Sequence, residues 1–219
     1  MARFVEIGLL ERFSASSPQV KPCCPIAGII LSAGASRRMG TPKALLPLDG
    51  ETFLDRLIRV FSEVAVTPIV VLGHQAAQIR SGIRRSAEAM FVVNPDPERG
   101  MLSSLQCGLR AIPQESEAVM FTPVDHPNLE GSTLEKLTRH FEGHRAAVTV
   151  PTFQGVHGHP VLIARPLVAE LLALPTTAQA SDVIHRYRSQ TAYIEVDDAA
   201  VTTDIDDRAA YAELLARRP

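Results

Sequence analysis

The chain predicts an α/β fold: a mostly parallel sheet with helices covering both faces. Three observations carry that expectation. Short, continuously apolar runs recur along the chain, as strands buried on both faces require. Segments of helical spacing separate them. And 46% of the 219 residues are hydrophobic, with a net charge of -2, enough for one sizeable core at this length.

The elements follow in order. Residues 1–25 mix a short amphipathic piece with Ser14–Pro18 and two further prolines, and read as an N-terminal extension to a single domain over 26–219. Ile26–Leu31 is an apolar first strand, and Pro47–Gly50 a turn. Glu51–Val64 places Phe53, Leu54, Leu57, Ile58 and Phe61 at helical spacing. Pro68–Leu72 is a strand, Gln75–Arg85 a polar helix, and Met90–Asn94 a third strand. Met101–Ile112 reads as a helix and Ala118–Thr122 as a strand that runs out at Val124 and Asp125. Ser132–Phe141 is a helix, Ala146–Val150 and His159–Ala164 are strand-like, and Pro166–Ala173 and Ser181–Tyr187 are helical. A strand over Ala192–Val196 and a helix over Asp207–Arg217 complete the pattern.

The stretch from Leu31 to Lys43 is the most informative feature. It offers small residues, two arginines and a lysine directly after the first strand. Gly34 and Gly40 let backbone N–H groups approach phosphate oxygens. Ala33 is as small, Ser32 and Ser36 can donate hydroxyls, and Arg37, Arg38 and Lys43 neutralise charge. The loop suits a triphosphate. It lacks the Gly-Lys-Ser/Thr ending of a Walker A loop and the G-x-G-x-x-G spacing of a dinucleotide site. Asp125, just past an apolar strand, falls at the same end of the sheet, where open α/β sheets bind ligands. As a residue alone, it serves equally as a turn or capping aspartate.

Composition narrows the partners. A sequence pI near 6.4 gives no basic excess for a nucleic-acid backbone. No apolar stretch reaches membrane-spanning length, and Glu6, Glu11 and Arg12 interrupt any signal-peptide core, so a cytoplasmic location is expected. Cys23, Cys24 and Cys107 have neither disulfide nor zinc spacing, and read as reduced thiols.

The pattern L-x-A-G-x-S-x-R-M-G-x-x-K, here Leu31 to Lys43, closely resembles the signature of the MobA-like NTP transferases of molybdenum-cofactor maturation. Ser32-Ala33-Gly34, in place of a more glycine-rich opening, is similar to the cytidylyltransferase branch. The resemblance implies a three-layer Rossmann-like nucleotidyltransferase of the nucleotide-diphospho-sugar transferase type. It implies transfer of CMP from CTP to the terminal phosphate of a molybdopterin-type acceptor, with release of pyrophosphate. Arg38, Lys43 and Asp125 would be catalytic. Asp125-His126-Pro127 resembles the family's Asp-x-Pro, where methionine is frequent at the middle position; His126 departs from it and reads as a neutral surface imidazole. Thr203–Asp207 resembles a second acidic segment, which makes Asp206 the second ligand to magnesium with Asp204 in support. An N-terminal helix cap is the plain alternative there.

Asn94, followed by Gly100-Met101 and Ser103-Ser104, resembles the segment that faces the bound nucleotide, and Gly158-His159-Pro160 resembles the acceptor-side Gly-His-Pro. Two other readings remain open: a sugar or polyol phosphate as acceptor, or a non-catalytic nucleotide-binding protein serving a recipient molybdoenzyme.

Overall fold

Alternating apolar strands and helices assemble into three layers. The computed structural model describes residues 24–64, 66–175 and 177–216; the N-terminal extension, save its last two residues, lies outside them. The strands are β1 (Ile26–Ser32), β2 (Pro47–Leu48), β3 (Glu51–Thr52), β4 (Thr67–Leu72), β5 (Met90–Val93), β6 (Ala118–Pro123), β7 (Val148–Phe153), β8 (Val156–His157), β9 (Val161–Ala164) and β10 (Thr191–Glu195). The helices are α1 (Phe53–Glu63), α2 (Ala76–Gly82), α3 (Met101–Arg110), α4 (Gly131–His144), α5 (Pro166–Ala173), α6 (Ala180–Arg186) and α7 (Arg208–Ala216). None is long and apolar enough to cross a membrane.

Among the described residues the main sheet has eight strands, in the order β10-β7-β9-β6-β1-β4-β5, with β8 paired to β7. Its ladders are parallel except where β9 meets β6 and β7, and where β8 meets β7. β1 divides the core by alternation. Ile26 and Ile30 join Phe53, Leu57 and Phe61 of α1 and Leu134 and Phe141 of α4 on one face. Ala27, Ile29 and Leu31 join Leu105 of α3, Leu171 of α5 and Val183 of α6 on the other. The mostly parallel, doubly covered sheet is the expected one.

The chain order makes a crevice. From β1 it builds outward through β4 and β5, then returns with β6 to the opposite side of β1. The loops after β1 and β6 therefore leave the same edge of the sheet on either side of this reversal, the place where such folds hold ligands.

Several boundaries differ from the sequence reading. Pro47–Leu48, expected in a turn, and Glu51–Thr52, expected in the first helix, pair instead as the β2-β3 hairpin; α2 is shorter than Gln75–Arg85 and α4 longer than Ser132–Phe141. β7 continues to Phe153, through Pro151, where a strand ending at Val150 was expected. β9 starts at Val161 rather than His159, and the short β8 hairpin precedes it.

Candidate active site

The loop after β1 is braced by its own atoms. Ser36 adopts φ of 50° and Gly40 φ of 72°. The Ser36 carbonyl accepts the Met39 and Gly40 N–H groups at 3.0 and 3.1 Å. Its Oγ accepts the Lys43 N–H at 3.0 Å, leaving the hydroxyl proton to donate. Arg208, on the first turn of α7, donates from Nε to the Met39 carbonyl at 3.2 Å. The loop thus delivers Lys43 to a fixed point.

That point lies between two carboxylates. Lys43 Nζ is 3.3 Å from Asp125 Oδ2 and 2.5 Å from Asp206 Oδ1. Arg38 reaches the other oxygen of Asp206 at 2.9 Å. The Lys43 side chain is only 12% exposed, against 37% for Asp206. The Lys43 ammonium holds the Asp206 carboxyl below the usual carboxylate range; Arg38 adds to this and burial opposes it. Asp125 is positioned by two main-chain bonds: Val124 N–H to the Leu31 carbonyl at 3.0 Å, and Ile205 N–H to the Asp125 carbonyl at 2.9 Å. Residues 82 and 163 positions away from Lys43 therefore meet it in one cleft.

The cleft holds about 350 Å³, and its walls include Ser32, Ala33, Gly34, Ser36, Arg37, Arg38, Gly100, Ser104, Asp125 and Asp206. Arg37 points across it to Glu98 at 3.1 Å, and Glu98 also meets His74 at 3.0 Å. Gly100, with φ of 88°, makes the turn into α3 that a side chain would strain.

Not every expected residue faces this space. Asn94 is 3% exposed and spends its amide on Ser103 Oγ and Ser104 Oγ at 2.9 and 3.0 Å. Ser103 donates to the Gly100 carbonyl at 2.8 Å. These two hold the Gly100 turn from behind, while Ser104 stands on the wall. Asp204 does not join Asp206. The buried Ile205 separates them, and Asp204 faces a different hollow, beside Ala210 and Leu214. His126 is no surface group: it is 6% exposed, its Nδ1 lies 3.2 Å from the Ala200 carbonyl and its Nε2 3.9 Å from Asp125.

A second cavity of about 840 Å³ adjoins the first, with Leu31, Gly100 and Met101 common to both. Gly158 and His159 line it, whereas Pro160 is buried behind. Burial is the main cause that pushes the His159 imidazole down to about 4, and the neighbouring His126 adds to it. A Cβ on Gly158 would meet the Val201 carbonyl oxygen at 2.2 Å, and His159 N–H donates to that same oxygen at 2.8 Å. Close backbone packing explains this glycine. The remaining wall includes Arg99, His157, His185, Arg188 and Tyr193. Of these, Arg99 and His157 adjoin readable motifs, at Gly100-Met101 and Gly158-His159-Pro160; His185, Arg188 and Tyr193 come from segments with no distinguishing pattern.

Residues 198–208 brace both cavities: Asp206 lines the first, and Val201 lies behind His159 of the second. Asp198 accepts from Glu130 N–H and Thr133 Oγ1 at the start of α4. Val201 holds His159, Ile205 holds Asp125, Asp206 holds Lys43 and Arg208 holds Met39.

Comparison with known proteins places the fold and the family. The chain is 25% identical over 178 residues to the molybdenum cofactor cytidylyltransferase of Escherichia coli K12, which covers 81% of this chain and 89% of that protein. It is 30% identical over 132 residues to a probable molybdenum cofactor guanylyltransferase of Bacillus cytotoxicus, covering 59% of this chain and 63% of that one. Its fold matches crystalline Rv0371c of Mycobacterium tuberculosis H37Rv with a TM-score of 0.77 at 25% identity, over 88% of this chain and 98% of that one. The family model for the MobA-like NTP transferase domain matches residues 28–192, most of the chain, and stops short of Asp206. The protein belongs to the MobA-like NTP transferase family, as a nucleotidyltransferase of the nucleotide-diphospho-sugar transferase fold.

Proposed function

We propose that this protein transfers CMP from CTP to the terminal phosphate of a molybdopterin-type acceptor, releasing pyrophosphate, and that Asp125 and Asp206 bind the magnesium this requires. The observation that carries the reading is the convergence of Lys43, Asp125 and Asp206 on one point beneath the loop after β1. Two carboxylates that share one ammonium are aimed at a common centre, and paired carboxylates completed by water and phosphate oxygens are the donor set magnesium takes. The residues fit the ion. Bound there, magnesium would neutralise triphosphate oxygens and hold them for in-line displacement.

The chain's own groups do the rest. An acceptor phosphate is already anionic at neutral pH, so no strong side-chain base is needed, and catalysis reduces to positioning and charge stabilisation. An acceptor oxygen forms the new bond to the α-phosphorus, while the bond to the β-phosphate oxygen breaks and pyrophosphate leaves with its electron pair. Lys43, with three donors on one ammonium, can turn one towards an α-phosphate oxygen while keeping a carboxylate. Arg38, exposed and, among the described residues, tethered only through Asp206, is free to swing onto the outer phosphates. The walls at Ala33 and Gly34 present backbone without bulk. Ser32-Ala33-Gly34 supports CTP as the donor, and the name of the E. coli relative lies on the same side. A recipient molybdoenzyme would take the product.

Purified protein is incubated with magnesium, each nucleoside triphosphate in turn, and either molybdopterin, a sugar phosphate or methylerythritol phosphate, while pyrophosphate is followed. Release with CTP and molybdopterin, abolished by Asp125→Ala, is expected. Preference for GTP would overturn the donor, release with a sugar phosphate alone would overturn the acceptor, and tight CTP binding without release would overturn catalysis.

A further inference from the structure

We infer that His157 and Tyr193 form a stacking platform that selects the acceptor, with Arg188 and His185 holding an anionic group of the same molecule. This rests on the reading of the second cavity as the acceptor's side and deepens it.

The platform is built by strand pairing. On β8 His157 lies opposite Thr152 of β7, and on β10 Tyr193 lies opposite Val150 of β7. The two rings belong to strands paired with β7, and they meet with centroids 4.3 Å apart and planes at 18°. Val150, His157 and Tyr193 all line the second cavity. Tyr193 is 43% exposed, so an aromatic group stays at the surface on an edge strand where a polar residue would cost nothing. Its phenol takes no part in any described hydrogen bond, so a polar tether does not explain it.

The charges around it agree. Among the described residues the wall has Arg99, Arg188 and two outward histidines but no carboxylate. Arg188 and His185 form no ion pair among the described residues, whereas Arg99 leans on Asp96 at 3.7 Å. The floor is apolar, with Leu102, Leu105, Phe121 and Ile184 among it. A polyol phosphate needs partners for each hydroxyl; Thr177, Gln179 and Ser181 supply polar groups along one wall, but the floor supplies none. A flat ring carrying an anion finds a π face, an apolar bed and cations.

The test uses pterin-6-carboxylate, a fluorescent planar anion, titrated against the full chain. Saturable binding is expected. Tyr193→Ala should raise Kd about ten-fold, as loss of one aromatic stacking partner does, and Tyr193→Phe should restore it. Arg188→Gln should weaken the probe independently, and methylerythritol phosphate should compete poorly. CTP binding should be unchanged in Tyr193→Ala, which also reports that the variant is folded. No binding, an unchanged Kd in Tyr193→Ala, or equal competition by methylerythritol phosphate would overturn the platform. The two readings separate cleanly. If the probe discriminates but no triphosphate yields pyrophosphate, nucleotidyl transfer falls and the platform stands. If turnover occurs and Tyr193→Ala leaves the acceptor KM unchanged, the platform alone falls.

Discussion

Replacing Lys43 by methionine keeps the stem that the cleft buries and removes only the ammonium. Lys43 lies 2.5 Å from one carboxylate and 3.3 Å from another, and its side chain is 12% exposed. At an effective dielectric of about 20, a unit charge pair at such distances is worth about 4 kcal/mol or more before desolvation. As a stabiliser of charge that develops on the α-phosphate, its loss should reduce turnover by about two to three orders of magnitude, or about 3–4 kcal/mol of barrier. Folding should suffer less, by about 1–2 kcal/mol, because Asp206 is 37% exposed and water screens the pair.

A second readout is specific to the geometry. The Asp206 carboxyl titrates below its ordinary range because Lys43 holds it. A depressed carboxylate pKa stabilises the native state above the unfolded value, about 3.9, and that stability is lost as pH falls through the native value. The difference in Tm between the parent and Lys43→Met should therefore be full above about pH 4 and shrink below it. Steady-state pyrophosphate release and melting curves from pH 3 to 7 measure both effects. Near-normal turnover in a folded Lys43→Met protein would refute the catalytic role, and a Tm difference independent of pH would refute the ion pair.

Three further outcomes follow from groups away from that point. The buried Asp55 carboxylate accepts Arg84 and Arg85 N–H groups at 2.9 and 2.8 Å and the Thr52 hydroxyl at 2.8 Å, so Asp55→Ala should cost about 2–4 kcal/mol in urea unfolding, and a loss below about 0.5 kcal/mol would contradict this. His159 is neutral in the native state until about pH 4 but ordinary near 6.5 when unfolded; stability should fall as pH drops from 6.5 towards 4, by up to about 1.4 kcal/mol per unit, and His159→Gln should flatten that limb. Gly158→Ala forces a methyl against the Val201 carbonyl oxygen; it should lower Tm and raise the acceptor KM while leaving the CTP KM near normal.

Much of the cleft was legible because it is local. Leu31 to Lys43 is one continuous run after a strand, and Asp125 ends another, so sequence order alone puts both at the carboxyl edge of the sheet. Legibility fails where position depends on pairing. Nothing in Val161–Ala164 says that β9 runs antiparallel between β6 and β7, and a proline at 151 argues against the strand that in fact contains it, since proline cannot donate to a ladder. His126 reads as a surface residue because Asp-His-Pro looks like an exposed turn; its burial comes from Ala200, 74 residues away. Asp204 fails for the opposite reason, because strict alternation holds only in a strand, and this segment is a loop. Arg208 departs from the resemblance in sequence yet anchors Met39, a contact no local pattern announces.

The run from Asp198 to Arg208 fastens α4, the His159 wall, Asp125, Lys43 and the β1 loop in turn. Such a shared beam cannot be lengthened or shortened by a residue without shifting both substrates relative to each other, and in-line displacement tolerates little of that. Insertions that retune what the protein accepts must therefore accumulate elsewhere, and the stretch from Thr177 to Arg188, which borders the second cavity alone, is the place free to vary.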